Sequence, residues 1–360
     1  MDAKKWMLPA AAGAGAAAAF TKYYPAFGRN PGKAVRTAFR RRTRYYDGKH
    51  FYYPEKWKTN EPDENRIISP NKAHPAQPLP AAEPAFSDAA EAFQATWFGH
   101  SGILLRMGGK NILADPVFSK RCSPFQWVGP KRFTIPTVTA DALPHIDLVL
   151  LTHDHYDHLD PITLKAIAAK ADRFLVPLGV ECHLRRWGIP PQKTVSMAWW
   201  EQKTVSGIRV TCLPANHFSG RKYADQNYTL WCSYMLRAGG RQVFFSGDGG
   251  FGRHFRLIRE SLGAPDLAVM ECGMYNRKWH EMHMYPEESV KAAGILGAKA
   301  AIPVHWGAFV ISTHPWDDPP ERFVRAAEAA GLCAVTPMLC ETADLTHPAQ
   351  YQKRWWRHFK

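Results

Sequence analysis

A dense group of metal-binding residue types directly after an apolar run is the feature that most constrains this chain. Leu148–Leu151 has the composition of a buried strand, and His153–His158 follows it with three histidines and two aspartates in six residues. Imidazoles and carboxylates are ligands of divalent transition metals such as zinc. A structural histidine usually occurs alone, because one or two hydrogen-bond partners satisfy it. The segment therefore predicts a metal site at the end of a buried strand, in preference to a polar loop that is rich in histidine by chance.

Three other apolar runs also end close to a histidine or an aspartate. They are Ile208–Leu213 before His217, Gln242–Phe245 before Asp248, and Ala300–Val304 before His305. A single histidine after a strand is more often an ordinary turn residue, and Gly-Asp-Gly-Gly is more often a tight turn. Four strands that end in the same residue types make independent coincidence a poor explanation. The pattern predicts that these residues belong to one site.

The chain changes character near residue 93. Residues 59–92 are rich in proline and poor in aliphatic residues, which is typical of a linker. Further along, short apolar runs alternate with turns, and helical patterns at Pro161–Ala171, Pro286–Leu296 and Pro320–Ala330 begin with proline. A chain of 360 residues, 46% of them hydrophobic, can bury a large core. We predict an α/β catalytic domain over residues 93–345.

The two ends of the chain are predicted to lie outside that domain. Residues 1–20 are a short apolar segment that resembles a signal-like segment or an N-terminal anchor, with a poorly ordered tail as the alternative. Residues 21–92 are predicted to be a basic, aromatic arm followed by the proline-rich linker, and residues 346–360 a basic tail. The arm could bind an anionic lipid surface or nucleic acid, or be a solvated segment that binds neither. The apolar segment before it favours the membrane.

The seven cysteines lie far apart, and none forms a C-x-x-C pair. This spacing argues against a disulfide framework and against a zinc site made of thiolates. The cysteines fit small apolar core positions in a reducing, cytoplasmic compartment, although a periplasmic location is also compatible.

The ligand-type residues resemble the pattern of the metallo-β-lactamase superfamily, in which H-x-H-x-D-H is followed by His, Asp and His. Several blocks between about residues 95 and 335 narrow the resemblance to the N-acylphosphatidylethanolamine-hydrolysing phospholipase D group. These blocks are Thr96–His100, Ala114–Phe118, Val128–Phe133, Trp199–Glu201, Phe244–Asp248, Pro286–Glu288 and Val304–Gly307. The resemblance implies an α/β fold, a four-layer αβ/βα sandwich with the metals at one edge between the sheets.

The same resemblance implies two divalent metal ions and the residues that hold them. It places one ion on His153, His155 and His217, the other on Asp157, His158 and His305, and Asp248 between the two. All seven positions hold an acceptable ligand. This nitrogen and oxygen set suits zinc best, and iron and manganese are compatible with it.

The implied reaction is the hydrolysis of a phosphodiester by a hydroxide held between the two metals. For a phospholipase D that acts on N-acylphosphatidylethanolamine, the products would be N-acylethanolamine and phosphatidate. The residues with a direct catalytic role would be Asp157, Asp248 and His283, of which His283 would contact the phosphate or assist the leaving group. Candidates for lining the substrate pocket are Gln126, Tyr156 and His100, and candidates for orienting the ligand imidazoles are Asp115 and Asp154.

Other hydrolases of the superfamily share this ligand set, so a nuclease or cyclic phosphodiesterase and a lactonase or β-lactamase are the alternatives. A nuclease also fits the basic arm, but the additional motifs of the RNA- and DNA-processing branches are missing, so nucleic acid is not the expected partner. A non-catalytic binding protein would be expected to lack a ligand, and none is missing.

We expect a phospholipid substrate and an anionic membrane surface as partner, with peripheral or N-terminally anchored attachment. A homodimer is compatible with the sequence, which does not set the oligomeric state. Deletion of residues 1–58 is expected to weaken binding to anionic vesicles and to spare hydrolysis of detergent-dispersed substrate.

Overall fold

A computed structural model describes residue 20, residues 23–55 and residues 70–359 of the chain. The predicted apolar segment 1–20 lies outside the described residues except for Phe20, and so does the first part of the proline-rich linker. Among the residues that the structure describes, no helix is both long enough and apolar enough to cross a membrane.

Fourteen strands form two mixed sheets of seven strands each. The first sheet contains β1 (Gln94–Trp97), β2 (Ile103–Met107), β3 (Lys110–Ala114), β4 (Ile146–Leu150), β5 (Ala171–Pro177), β6 (Thr194–Met197) and β14 (Thr342–Asp344). The second contains β7 (Gln202–Val205), β8 (Ile208–Leu213), β9 (Ser233–Ala238), β10 (Arg241–Phe245), β11 (Leu267–Glu271), β12 (Ala300–Val304) and β13 (Cys333–Ala334). The strand orders are β14-β1-β2-β3-β4-β5-β6 and β13-β12-β11-β10-β9-β8-β7.

The two sheets have the same arrangement of antiparallel and parallel strands. In the first, β14, β1, β2 and β3 pair antiparallel, and β3 to β6 pair parallel. In the second, β7 to β10 pair antiparallel, and β10 to β13 pair parallel. Every residue of β4, β11 and β12 is buried, as expected for parallel strands that are covered on both faces. Helices flank the sheets, in agreement with the predicted α/β sandwich of the metallo-β-lactamase type.

In the part of the chain that the structure describes, seven α-helices connect or cover the strands. They are α1 (Lys33–Arg42), α2 (Pro70–Ala73), α3 (Pro161–Ile167), α4 (Glu181–Arg186), α5 (His254–Leu262), α6 (Pro286–Leu296) and α7 (Asp318–Ala330). The predicted helix Pro286–Leu296 is observed with the same bounds, and the predicted helix at Pro320 begins two residues earlier. The helix at Pro161 is shorter than predicted, because Ala171 already pairs with Ile146 in the first sheet.

The basic arm and the C-terminal residues pack against the domain. In the arm, α1 buries Phe39, and Tyr46 and Phe51 also join the hydrophobic core. At the other end, Trp355 and Trp356 are buried against Trp306. The aromatic residues that alternate with basic ones in the sequence are therefore the buried side of these segments, which differ in this respect from a free arm and a free tail.

Candidate metal centre

The seven predicted ligands meet where strands from both sheets end. His153, His155, Asp157 and His158 follow β4 of the first sheet, and His217, Asp248 and His305 follow β8, β10 and β12 of the second. His153, His158, His217, Asp248 and His305 are buried, and His155 and Asp157 are partly buried. Parallel strands within each sheet bring their carboxyl ends to the same edge. The topology therefore gathers residues that are far apart in sequence.

Three imidazoles form the first group, which consists of His153, His155 and His217. His153 Nε2 lies 3.0 Å from His155 Nδ1, and His155 Nδ1 lies 3.3 Å from His217 Nε2. Zinc binds imidazole nitrogen at about 2.1 Å, and tetrahedral ligands at that distance are about 3.4 Å apart. The spacing of the three nitrogens is close to what one such ion requires.

Two imidazoles and one carboxylate form the second group, which consists of Asp157, His158 and His305. His158 Nε2 lies 3.3 Å from His305 Nε2. Asp157 Oδ2 lies 3.5 Å from His305 Nε2 and 3.7 Å from His158 Nε2. These donor atoms face one another, and they offer a second position of similar size.

Asp248 lies between the two groups. Its Oδ2 atom is 3.0 Å from His158 Nε2 and 3.1 Å from His305 Nε2, and it is 3.8 Å from His153 Nε2 and 3.9 Å from His217 Nε2. Its Oδ1 atom is buried and has no hydrogen-bond partner among the described residues. A buried carboxylate oxygen without a partner is costly. A bound cation would satisfy it, so the residues present fit a pair of metal ions that share Asp248.

The second ring nitrogen of four histidines has a hydrogen-bond acceptor. The acceptors are Asp115 Oδ2 for His158 Nδ1 (2.8 Å), Thr152 Oγ1 for His153 Nδ1 (3.0 Å), Met282 O for His217 Nδ1 (3.1 Å) and Gly273 O for His305 Nδ1 (3.3 Å). Each ring therefore donates through Nδ1 and points the lone pair of Nε2 at the centre, as metal-binding histidines do. Thr152 Oγ1 also donates to Asp115 Oδ2 (2.5 Å), so Asp115 orients His158 directly and His153 through Thr152.

Burial favours the neutral form of the histidines in the centre, and the carboxylates of Asp157 and Asp248 favour the protonated form of those closest to them. Burial holds the pKa of His153 and of His217 well below its ordinary range, so both are neutral. Burial also lowers the pKa of His305, but Asp248 and Asp157 outweigh it and raise the pKa to about 10. The pKa of His158 is raised well above its usual range for the same reason. Divalent ions that bind here would displace those protons, because a metal-binding imidazole must be neutral.

Asp154, predicted as an orienting carboxylate, points away from the centre. Its carboxylate accepts hydrogen bonds from Gly220 N (2.7 Å), Thr229 Oγ1 (2.8 Å) and His183 Nε2 (3.2 Å). The prediction for Asp154 is therefore wrong, and the prediction for Asp115 agrees with the geometry. Neighbouring residues of a loop face different directions, and the sequence does not say which of them faces inward.

The three pocket candidates already have partners within the protein. His100 is only 1% exposed, and its Nε2 atom lies 2.9 Å from Asp157 Oδ2, so it is not a residue that lines an open pocket. Tyr156 donates to Arg221 O at 2.8 Å, and Gln126 bonds both backbone groups of Arg121 at 3.1 and 3.0 Å. Tyr156 and Gln126 are partly buried, and a role in substrate binding stays a prediction for them.

His283 lies beside the centre and is held by a residue that the sequence reasoning missed. Its ring centroid is 5.1 Å from that of His217 and 5.2 Å from that of His305. Its Nδ1 atom lies 2.9 Å from Glu271 Oε2, and Glu271 is fully buried. Glu271 is the last residue of β11, so it follows the same strand-end pattern as the predicted ligands, and that pattern could have identified it.

Comparisons with known proteins support this architecture. Residues 110–306 match the family described as the beta-lactamase superfamily domain. An uncharacterized protein of Mycobacterium tuberculosis, Rv0906, is 41% identical over 290 residues, which are 79% of this chain and 77% of that protein. N-acyl-phosphatidylethanolamine-hydrolyzing phospholipase D 1 of Caenorhabditis elegans is 34% identical over 231 residues, which are 61% of this chain and 65% of that protein. The solved structure of Igni18, a metallo hydrolase of Ignicoccus hospitalis, has a TM-score of 0.55 and 21% identity, and covers 70% of this chain and 97% of that chain.

Proposed function

This chain belongs to the metallo-β-lactamase superfamily and is a metal-dependent hydrolase, and from that premise we propose that it is a phosphodiesterase of the phospholipase D type. The substrate would be N-acylphosphatidylethanolamine, and the products would be N-acylethanolamine and phosphatidate. The observation that carries the proposal is the position of Asp248 Oδ2. This atom lies within 4 Å of Nε2 of two histidines of the first group and of two histidines of the second group. The similarity to the phospholipase D of Caenorhabditis elegans supports the substrate class.

The two groups and Asp248 would hold two divalent ions, for which zinc is the best match. When bound, such a pair polarises a phosphoryl oxygen and lowers the pKa of a water molecule towards neutrality. The chain's own part is to fix the donor atoms. Asp115, Thr152 and two backbone carbonyls accept from Nδ1 of four imidazoles and fix the orientation of the rings, so little movement of these side chains is needed on binding.

His283 is placed to act on the substrate side of the centre. Because Nδ1 donates to Glu271, Nε2 is the ring atom left for the substrate, and in the imidazolium form it would donate to a phosphate oxygen or to the departing alcohol. Glu271 is itself held, since its other oxygen accepts from Met284 N at 3.0 Å and Gly249 N at 3.2 Å. The pair therefore presents a positioned proton donor, which is what a phosphodiester with an alkoxide leaving group requires.

An anionic phospholipid surface is the proposed partner. The arm exposes Lys33, Arg40, Arg41, Arg44 and Lys49. A lysine or arginine near an anionic membrane contributes about 1 kcal/mol to binding. The protein also exposes apolar side chains, among them Trp127, which is 77% exposed. Tryptophan favours the membrane–water interface, so such residues support a peripheral contact.

Product identification in a lipid hydrolysis assay tests the reaction. Purified protein with two equivalents of zinc is incubated with N-acylphosphatidylethanolamine, phosphatidylethanolamine, a lactone and RNA, and the products are identified by mass spectrometry. We expect N-acylethanolamine and phosphatidate from the first lipid. Release of free fatty acid would instead indicate acyl-ester cleavage, and hydrolysis of only the lactone or the RNA would overturn the proposal.

The variant Asp248→Asn tests the shared carboxylate. We expect hydrolysis to fall by about 100-fold and bound zinc to decrease, because the amide carries no charge to share between two ions. Asp88→Asn is the matched control, since Asp88 is exposed. Full activity of Asp248→Asn with two bound metals would contradict the assignment.

A further inference from the structure

His100 connects the two sheets at the metal edge. It follows β1 of the first sheet, and its backbone bonds the turn that follows β12 of the second: His100 N donates to Trp306 O at 2.8 Å, and His305 N donates to His100 O at 2.9 Å. Both His100 and His305 have positive φ, at 55° and 70°. Non-glycine residues adopt that conformation only when the surroundings hold them there. The position of His100 relative to His305 is therefore tightly fixed.

The side chain of His100 has one polar contact. Its Nε2 atom lies 2.9 Å from Asp157 Oδ2, the same oxygen that faces His158 and His305. Its Nδ1 atom is buried and has no hydrogen-bond partner. A proton on Nδ1 would be a buried donor without an acceptor, so the geometry favours the tautomer with the proton on Nε2. His100 therefore donates to Asp157.

We propose that His100 is the positioning residue that fixes Asp157 for the second metal position. This inference rests on the metal part of the proposed function and is independent of the substrate. Asp157 has three close polar partners among the described side chains, namely His100, His158 and His305. Once His158 and His305 give their Nε2 lone pairs to an ion, neither can donate a proton to Asp157. His100 is then the side chain that still holds the carboxylate, and it leaves the other lone pairs of Oδ2 for the ion.

Among the proposed ligands that the structure describes, the side chain of His100 contacts those of the second group. Its ring centroid is 4.2 Å from that of His305 and 5.6 Å from that of His158, and the rest of the ring packs on Phe309 at 5.4 Å. The first group is oriented by other residues, because His153 and His217 donate to Thr152 Oγ1 and Met282 O. Loss of His100 should therefore weaken one of the two metal positions and leave the other.

Metal titration of three variants tests the inference. His100→Gln can place its amide nitrogen near the original Nε2, His100→Asn places it near the original Nδ1, and His100→Leu has no donor. We expect two zinc ions per chain in the wild-type protein and in His100→Gln. In His100→Asn and His100→Leu we expect the weaker of two zinc affinities to fall about 10- to 100-fold, as for other residues that orient a ligand. Cobalt absorption spectra should show the first position unchanged in all three.

The comparison of Gln with Asn separates positioning from packing, because both variants replace the ring by an amide. Equal loss in these two variants, or loss of both metal positions together, would overturn the inference and assign His100 a packing role. Two zinc ions with unchanged affinity in His100→Leu would also overturn it. His254→Leu is the control, since His254 is a buried histidine with one side-chain partner, the Tyr53 hydroxyl, outside the centre. If the wild-type protein binds fewer than two ions, the two-metal proposal fails together with this one, whereas inactivity towards lipids would affect only the proposed substrate.

Discussion

Arg221 should connect the N-terminal arm to the loop that follows β4 and carries His153–His158. Its replacement by methionine tests whether that connection stabilises the protein and the metal centre. Its guanidinium is buried and donates to three backbone carbonyls, Asp154 O at 2.6 Å, Ala26 O at 2.8 Å and Leu159 O at 3.0 Å. It also lies 4.0 Å from the centroid of the Tyr156 ring. Two of the carbonyls, those of Asp154 and Leu159, bracket three of the proposed metal ligands, His155, Asp157 and His158. The third belongs to the arm.

The expected loss follows from the acceptors that the change leaves without a donor. Arg221→Met keeps most of the aliphatic volume, but three carbonyl oxygens lose their partner, and each buried acceptor left unsatisfied costs about 1–3 kcal/mol. Ala26 is only partly buried, so water can reach its oxygen, and removal of a buried charge offsets part of the remainder. We therefore expect the free energy of unfolding to fall by about 4 kcal/mol. A domain with a typical stability of about 5–15 kcal/mol would still fold.

Urea unfolding of the metal-free protein measures the loss of stability, and competition for zinc with a chromophoric chelator measures the change in zinc affinity. Besides the lower stability, we expect zinc affinity to fall about 10-fold or more, because the loop that carries the ligands loses two of its hydrogen bonds to the rest of the protein. Arg185→Met is the matched control, since Arg185 is exposed. A change in stability below about 1 kcal/mol, with unchanged zinc affinity, would refute the coupling.

Three further predictions follow from other contacts. Glu271→Gln should lower kcat for lipid hydrolysis while both metals stay bound. The amide oxygen would stay with Met284 N and Gly249 N, so the amide NH2 would face His283 Nδ1 and impose the other tautomer; equal loss of metal would contradict this. Burial lowers the pKa of His254 to about 3. Between pH 6.5 and 3 the side chain is therefore neutral in the folded protein and protonated in the unfolded chain. The free energy of unfolding should fall as the pH drops through this range. His254→Gln should flatten that slope in urea titrations, and an unchanged slope would assign it to other groups. Deletion of residues 1–58 should abolish hydrolysis of detergent-dispersed substrate as well as vesicle binding, because Phe39, Tyr46 and Phe51 of the arm belong to the hydrophobic core. The sequence alone had led us to expect that hydrolysis would be spared. Retained hydrolysis would show that the arm is separable from the catalytic domain.

The metal centre was largely predictable because its signal is local. Each proposed ligand follows an apolar run, and β4 of the first sheet and β8, β10 and β12 of the second bring the ends of those runs together. What the sequence could not give is the direction of a side chain within a loop. Asp154 stands between two histidines of the cluster and yet faces His183, while Asp115, 43 residues before His158, holds that ring. Glu271 was missed because it is the last residue of its own strand, β11, whereas the predicted ligands follow theirs.

The packing of the arm could not be predicted from the sequence, because its partners are distant in sequence. Some of its basic side chains form ion pairs within the protein and others are exposed. Arg42 binds both carboxylate oxygens of Glu201 at 3.1 and 2.6 Å, a contact across 159 residues that no local pattern reveals. Arg40 and Arg41, next to it in the same helix, are exposed. Packing and lipid binding are therefore not alternative roles for this segment, since one face of α1 supplies the first and the opposite face is available for the second. Deletion removes both together, so only substitution of the exposed cations, for example Arg41→Gln, can separate membrane attachment from the integrity of the centre.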